Sequence, residues 1–136
     1  MKQVRKARGR SESSRRWIER QLNDPYVKRA QIDGYRARSA YKLLELDDRF
    51  ELLRGASRIV DLGIAPGGWA QVARHKAPHA KIVGIDLLPT DPIDGVTIFE
   101  MDFLDDAAPE ILTNALDGEA DLVMSDMAAN TVGHKQ

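Results

Sequence analysis

The sequence predicts an α/β fold, an open and mostly parallel sheet preceded by a basic helical extension. From residue 58 onward short apolar runs alternate with helical patterns, and that alternation argues for parallel strands joined by right-handed crossovers. The run Arg58–Leu62 passes directly into a loop carrying Gly63, Gly67 and Gly68 and then into a helix, a geometry suited to holding a nucleoside at the carboxyl edge of a sheet. Upstream of Gly55 only helical spacing is found.

Residues 1–12 are rich in Lys, Arg, Gly and Ser and nearly free of apolar residues, so they are expected to stay disordered until they meet a partner. Ser13 or Ser14 can cap a short helix through Gln21, which Asn23-Asp24-Pro25 ends. A second helix runs from Pro25 towards Asp33 and stops at Gly34. A third is expected over 37–53, where Leu43, Leu46, Phe50 and Leu53 form one apolar stripe. Strands follow at 58–62, 81–86, 96–100 and 120–125, with helices at 69–76 and 108–116. The crossover at 87–95 contains Pro89 and Pro92 and is too short for a full helix. These elements divide the chain into a basic tail (1–12), a helical extension (13–54) and a nucleoside-binding α/β unit (55–136).

Composition narrows the function. No stretch of roughly 18 apolar residues is present to span a bilayer, and the basic N-terminus has no apolar segment behind it to act as a secretory signal. The chain has no cysteine, which excludes disulfides and thiolate metal sites and agrees with a cytoplasmic location. His75, His79 and His134 lack ligand spacing, so no metal is expected. Net charge is −1, but it is divided: residues 1–58 hold 16 Lys/Arg against 8 Asp/Glu (+8), and residues 59–136 hold 4 against 13 (−9). A polycation beside an acidic fold points to nucleic acid, although a solvated basic tail has the same composition.

The segment Asp61-Leu62-Gly63-Ile64-Ala65-Pro66-Gly67-Gly68-Trp69 is not the dinucleotide fingerprint G-x-G-x-x-G, which weighs against a nicotinamide-dependent oxidoreductase. It resembles motif I of S-adenosylmethionine (SAM) methyltransferases, in the form D-L-G-x-A-P-G-G-W found in the FtsJ-type RNA ribose 2'-O-methyltransferases. Other segments fall in that family's order: Gly34 to Leu43 around Lys42, Asp86-Leu87-Leu88-Pro89, Met101-Asp102-Phe103 and Ser125-Asp126-Met127-Ala128. Ala129 stands where many members have proline.

The resemblance implies a Rossmann-like SAM-dependent methyltransferase acting on a ribose 2'-hydroxyl, with a uridine of 23S rRNA in the large ribosomal subunit as substrate. Transfer RNA or another RNA is the alternative substrate, and a non-catalytic RNA-binding module the alternative class. The family sheet has about seven strands and four are legible, so the chain is expected to be part of a longer protein, monomeric when complete.

SAM carries a sulfonium, a ribose diol, an adenine and an amino-acid end, so its site needs carboxylates and an apolar wall. Asp86, at a strand's carboxyl end about twenty residues past the glycine loop, is placed to accept both ribose hydroxyls; a solvated strand-end acid would look the same. The resemblance assigns Asp102 to the adenine amino group. Gly67 and Trp69 offer close backbone approach and N–H groups at a helix start, and Trp69 could instead be a core aromatic whose backbone still binds. Asp61 reads as a loop-bracing acid near the methionine end. Catalysis is implied for a Lys-Asp-Lys-Glu set whose first members are Lys42 and Asp126, with Asp126 also in the cofactor set. A surface lysine would have the same sequence appearance as Lys42. The later lysine, usually taken as the base, and the glutamate have no counterpart in these 136 residues.

Overall fold

A computed structural model describes residues 24–126; the basic tail, the helix expected after Ser13 or Ser14, and Met127 to Ala129 lie outside the described residues. Helix α1 spans Pro25–Asp33. Asp24 caps it by accepting from the backbone N–H groups of Tyr26 (2.7 Å) and Val27 (3.3 Å), and Pro25 fills a first-turn position where no N–H is needed. Gly34 closes it in the left-handed region at φ 86°.

Helix α2 spans Ala40–Phe50, shorter at both ends than the expected 37–53. Glu51 turns left-handed at φ 50°, so the chain leaves the helix before Leu53. Leu43 and Leu53 are nonetheless fully buried, whereas Phe50 is 58% exposed with the Arg49 guanidinium over its ring. The stripe read from the sequence therefore breaks at its third member. Leu53 reaches the core from the following turn, where its N–H donates to the Asp47 carboxylate at 2.8 Å.

Four parallel strands follow: β1 Arg58–Leu62, β2 Lys81–Asp86, β3 Val96–Glu100 and β4 Leu122–Met124, with β4 shorter than expected. Helix α3 is Gly68–Lys76 and α4 is Ala108–Leu116; β2 and β3 are joined without a helix, as the prolines required. The sheet order is β3-β2-β1-β4. In such a sheet the direction of winding reverses between β1 and β4, which opens a crevice at their carboxyl ends.

Alternation along β1 sends Ile59 to one face and Val60 to the other. On the first face Ile59, Ile82 and Met124 pack with Leu43 and Leu53 and with Trp69, Val72 and Ala73 of α3. On the second, Val60 and Val83 pack with Leu116 of α4. Each fully buried Leu or Ile contributes about 1.5–3 kcal/mol. Because α2 shares the first core with α3 and the sheet, the segment before the sheet is fixed relative to the strand ends. Asp121 fastens the opposite end of the sheet by accepting from Ser57 N (2.9 Å) and Arg58 N (3.0 Å), bonds that hold its carboxyl below the usual carboxylate range.

Candidate cofactor and catalytic site

Three carboxylates meet at the carboxyl edge of the sheet. Asp61 is the fourth residue of β1, Asp86 ends β2, and Asp126 follows β4 by two residues. Register places Asp61 beside Gly84 on one side and Met124 on the other, so the three acids come from adjacent strands.

Asp61 is 1% exposed, and its Oδ2 has no hydrogen-bond partner among the described residues. Burial, then the negative charges of Asp126 and Asp86, push its carboxyl up to about 8. Asp126 is half-buried and also raised, first by burial and then by Asp86, with a hydrogen bond from the Ser39 hydroxyl acting the other way. Asp86 accepts from Ala65 N at one oxygen and Leu88 N at the other, each at 2.9 Å. It therefore ties the glycine loop to the turn after β2, and a carboxylate oxygen keeps acceptor capacity after one such bond. Mutually repelling carboxylates, with one Asp61 oxygen lacking a donor, form a site suited to hydroxyl and ammonium donors.

Gly67 caps α3 at φ 121°. A Cβ there would stand 2.7 Å from Ile93 Cδ1 and 3.1 Å from Arg36 Nη1, so a side chain is strained by conformation and obliges the ends of Ile93 and Arg36 to shift. Trp69 is buried, and its indole Nε1 donates to the Ser39 carbonyl at 2.7 Å. Its ring belongs to the core beneath the loop, and its main chain is the part that lies at the helix start. Asp102 is exposed after β3 and accepts from Leu104 N at 2.9 Å, a local turn bond. Lys42 is exposed on the first turn of α2, its N–H donating to the Ser39 carbonyl at 3.0 Å.

Two residues not singled out in the sequence join these parts. Arg36 donates to the carbonyls of Pro66 (3.2 Å), Asp91 (2.6 Å) and Pro92 (2.7 Å), and so spans the glycine loop and the β2–β3 crossover. The Ser39 carbonyl accepts from Trp69 Nε1 and so ties the start of α2 to α3. A concavity of about 520 Å³ lies instead on the outer side of α2, lined by Glu45, Asp47, Asp48 and Glu51, and contains none of the strand-end acids. Among the described residues no group of His, Cys, Asp and Glu could hold a metal ion, and no helix is long and apolar enough to cross a membrane.

Comparison with known proteins gives this geometry a family. The chain is 70% identical over 133 residues to a ribosomal RNA large subunit methyltransferase E of Novosphingobium aromaticivorans, covering 98% of this chain and 60% of that protein. It is 71% identical over 135 residues to the protein of the same name from Erythrobacter litoralis, covering 99% and 61%. The chain thus spans about three-fifths of the length of these curated relatives. Among solved structures, a putative ribosomal RNA methyltransferase from Plasmodium falciparum superposes with a TM-score of 0.62 at 33% identity, covering 74% of this chain and 60% of that one. The FtsJ-like methyltransferase family matches residues 35–136, and the chain belongs to that family.

Proposed function

We propose that this chain is the cofactor-binding part of a SAM-dependent methyltransferase that modifies the ribose 2'-hydroxyl of a uridine in 23S rRNA. The observation that carries the reading is the convergence of Asp61, Asp86 and Asp126 beside the glycine loop, with the buried Asp61 Oδ2 lacking a donor. The names of the relatives support a ribosomal RNA substrate. The excess of cations in residues 1–58 supports RNA as the partner, through phosphate neutralisation. No metal is invoked, and the protein acts as a cytoplasmic monomer.

When bound, SAM supplies an electrophilic methyl group on a sulfonium. The Asp61 carboxylate would receive the ammonium of its amino-acid end, and Asp86 would accept from the ribose hydroxyls. Asp102 would address the adenine amino group, while Gly67 and Trp69 would contribute close backbone approach. An acceptor 2'-hydroxyl must also be held in line at this site. Asp126 orients that hydroxyl, and Lys42 places positive charge beside the acidic crevice.

The test is transfer of tritiated methyl from SAM to large ribosomal subunits lacking the modification, with the labelled atom mapped. Label on a 23S rRNA ribose 2'-oxygen supports the reading. Label on a base, or only on transfer RNA, overturns the assignment of substrate.

A further inference from the structure

We propose that Tyr26 and Arg38 form a stacking platform for an unpaired nucleobase of the RNA substrate. The inference deepens the methyltransferase reading above and rests on it for RNA as the partner.

Charge locates the surface. Residues 24–42 carry five Lys/Arg against two Asp (+3), whereas residues 43–126 carry six Lys/Arg against 17 Asp/Glu (−11). Among the described residues a polyanion is therefore drawn to α1 and the turn before α2. The same segment holds all three tyrosines of the chain, Tyr26, Tyr35 and Tyr41. The Tyr41 ring lies 6.0 Å from that of Tyr26 and 5.8 Å from that of Tyr35, so the three make one aromatic cluster. Tyr35 and Tyr41 are partly covered, while Tyr26 is 55% exposed and offers its ring to solvent.

The platform is held in place by one acid. Asp24 Oδ1 accepts from Tyr26 N at 2.7 Å, and Asp24 Oδ2 accepts from Arg38 Nη1 at 2.6 Å. Arg38 Cζ stands 5.4 Å from the centre of the Tyr26 ring, within cation–π range, and the Arg38 side chain is half-exposed. Nucleobases stack on aromatic rings and on guanidinium planes alike, and the attraction is sequence-tolerant because every base has a π-face. A ring and a guanidinium already tied to the same carboxylate lose less freedom when a base settles on them. Lys42 follows Arg38 by four residues, so the platform lies on the path of a strand that reaches the candidate catalytic lysine.

The same contacts also pack α1 against the start of α2, and two measurements separate the roles. The first uses the full chain and an oligouridylate carrying one 5-iodouridine. Irradiation should crosslink the iodinated base to Tyr26, mapped by mass spectrometry. Crosslinks that map only to other residues overturn the proposal, and this readout needs no variant.

The second compares the affinity of the unmodified oligouridylate for Tyr26→Phe, Tyr26→Leu and the parent. Phenylalanine keeps the π-face and should bind like the parent. Leucine keeps apolar bulk and suits a helix, but should bind about tenfold more weakly. Its salt slope should not change, because no phosphate contact is removed. An RNA duplex of equal length, whose bases are already stacked on one another, should bind the leucine variant and the parent alike. A folded leucine variant that binds the oligouridylate as the parent does, or that loses single strand and duplex equally, overturns the proposal. So does a parent chain that binds no single-stranded RNA, even if it methylates ribosomal subunits. Crosslinking at Tyr26 without any methyl transfer would defeat the functional reading and leave the platform standing.

Discussion

Arg36 donates from Nη1 to the carbonyl oxygen of Asp91 at 2.6 Å, a bond between the turn preceding α2 and the crossover after β2. The same guanidinium reaches Pro66 in the glycine loop and Pro92, so a single planar fork holds two loops that share no ladder. Lysine has the charge but not the geometry for three carbonyls in different directions. Arg36→Ala should lower stability by about 1–2 kcal/mol, and Arg36→Lys should restore less than half of that, because the site is solvent-exposed and water partly replaces the missing donors. Urea denaturation measures both; coincident midpoints for the parent chain and the alanine variant would refute the role.

Gly67→Ala should be the most damaging single methyl in the loop. The residue sits at φ 121°, and the new carbon would meet Ile93 Cδ1 at 2.7 Å. Left-handed strain and the clash together should cost about 1–3 kcal/mol and weaken binding of S-adenosylhomocysteine. Gly55→Ala is the control, since no atom lies within 4 Å of a Cβ built there. Thermal unfolding should separate the two variants clearly, and equal shifts would show that the loop relaxes freely.

The strands, their parallel direction and the glycine loop were legible because they rest on local signals: apolar runs ending in acids, prolines that forbid a helix at 87–95, and glycines at a strand end. Phe50 shows where local periodicity fails. Its spacing from Leu46 and Leu53 is helical, yet the helix ends at Phe50, which stays exposed while Leu53 is carried into the core. Trp69 shows a second limit: the motif locates it at the loop–helix junction, but which way its ring points depends on how α3 docks against α2. Asp61 lies within the recognised motif, and its burial and missing donor depend on strands and helices far away in sequence. Arg36 and Ser39 bond to residues as far away as Asp91 and Trp69, contacts that no sequence period records.

Asp61 makes stability depend on pH in a definite direction. Its carboxyl is raised in the fold to about 8 by burial and by Asp126 and Asp86, against 3.8 unfolded. A raised group favours the fold fully below its unfolded value and loses that advantage as pH rises through the folded one. Stability should therefore decline between about pH 4 and pH 8 through this residue. Asp61→Asn should be more stable than the parent at pH 8 by about 2–4 kcal/mol, with the difference shrinking towards pH 4. Denaturation at a series of pH values checks this, and a constant difference between the two proteins would exclude Asp61 as the source.

The uneven charge predicts how RNA affinity responds to salt. Residues 1–12 carry five Lys/Arg and one Glu. Deleting them should weaken binding to 23S rRNA fragments and flatten the plot of log affinity against log salt, by about 0.7–0.9 for each phosphate that is no longer neutralised. Filter binding across a range of potassium chloride concentrations gives the slope directly. A slope identical to that of the intact chain would assign RNA binding to other residues.

Asp86 separates loop bracing from cofactor recognition. Both carboxylate oxygens already accept backbone N–H groups, from Ala65 and Leu88, so Asp86→Ala should loosen the loop whatever the ligand. If Asp86 also accepts the ribose hydroxyls, the variant should lose a further preference that the loop cannot supply. Calorimetry with S-adenosylhomocysteine and its 2'-deoxy analogue distinguishes the two effects. The parent chain should bind the ribose form more tightly by about 1–3 kcal/mol, the cost of removing a partner from a hydrogen-bonded acceptor. In Asp86→Ala that gap should close while affinity for both ligands falls. A gap that persists undiminished in the variant would leave Asp86 as a brace of the glycine loop and move ribose recognition to another residue.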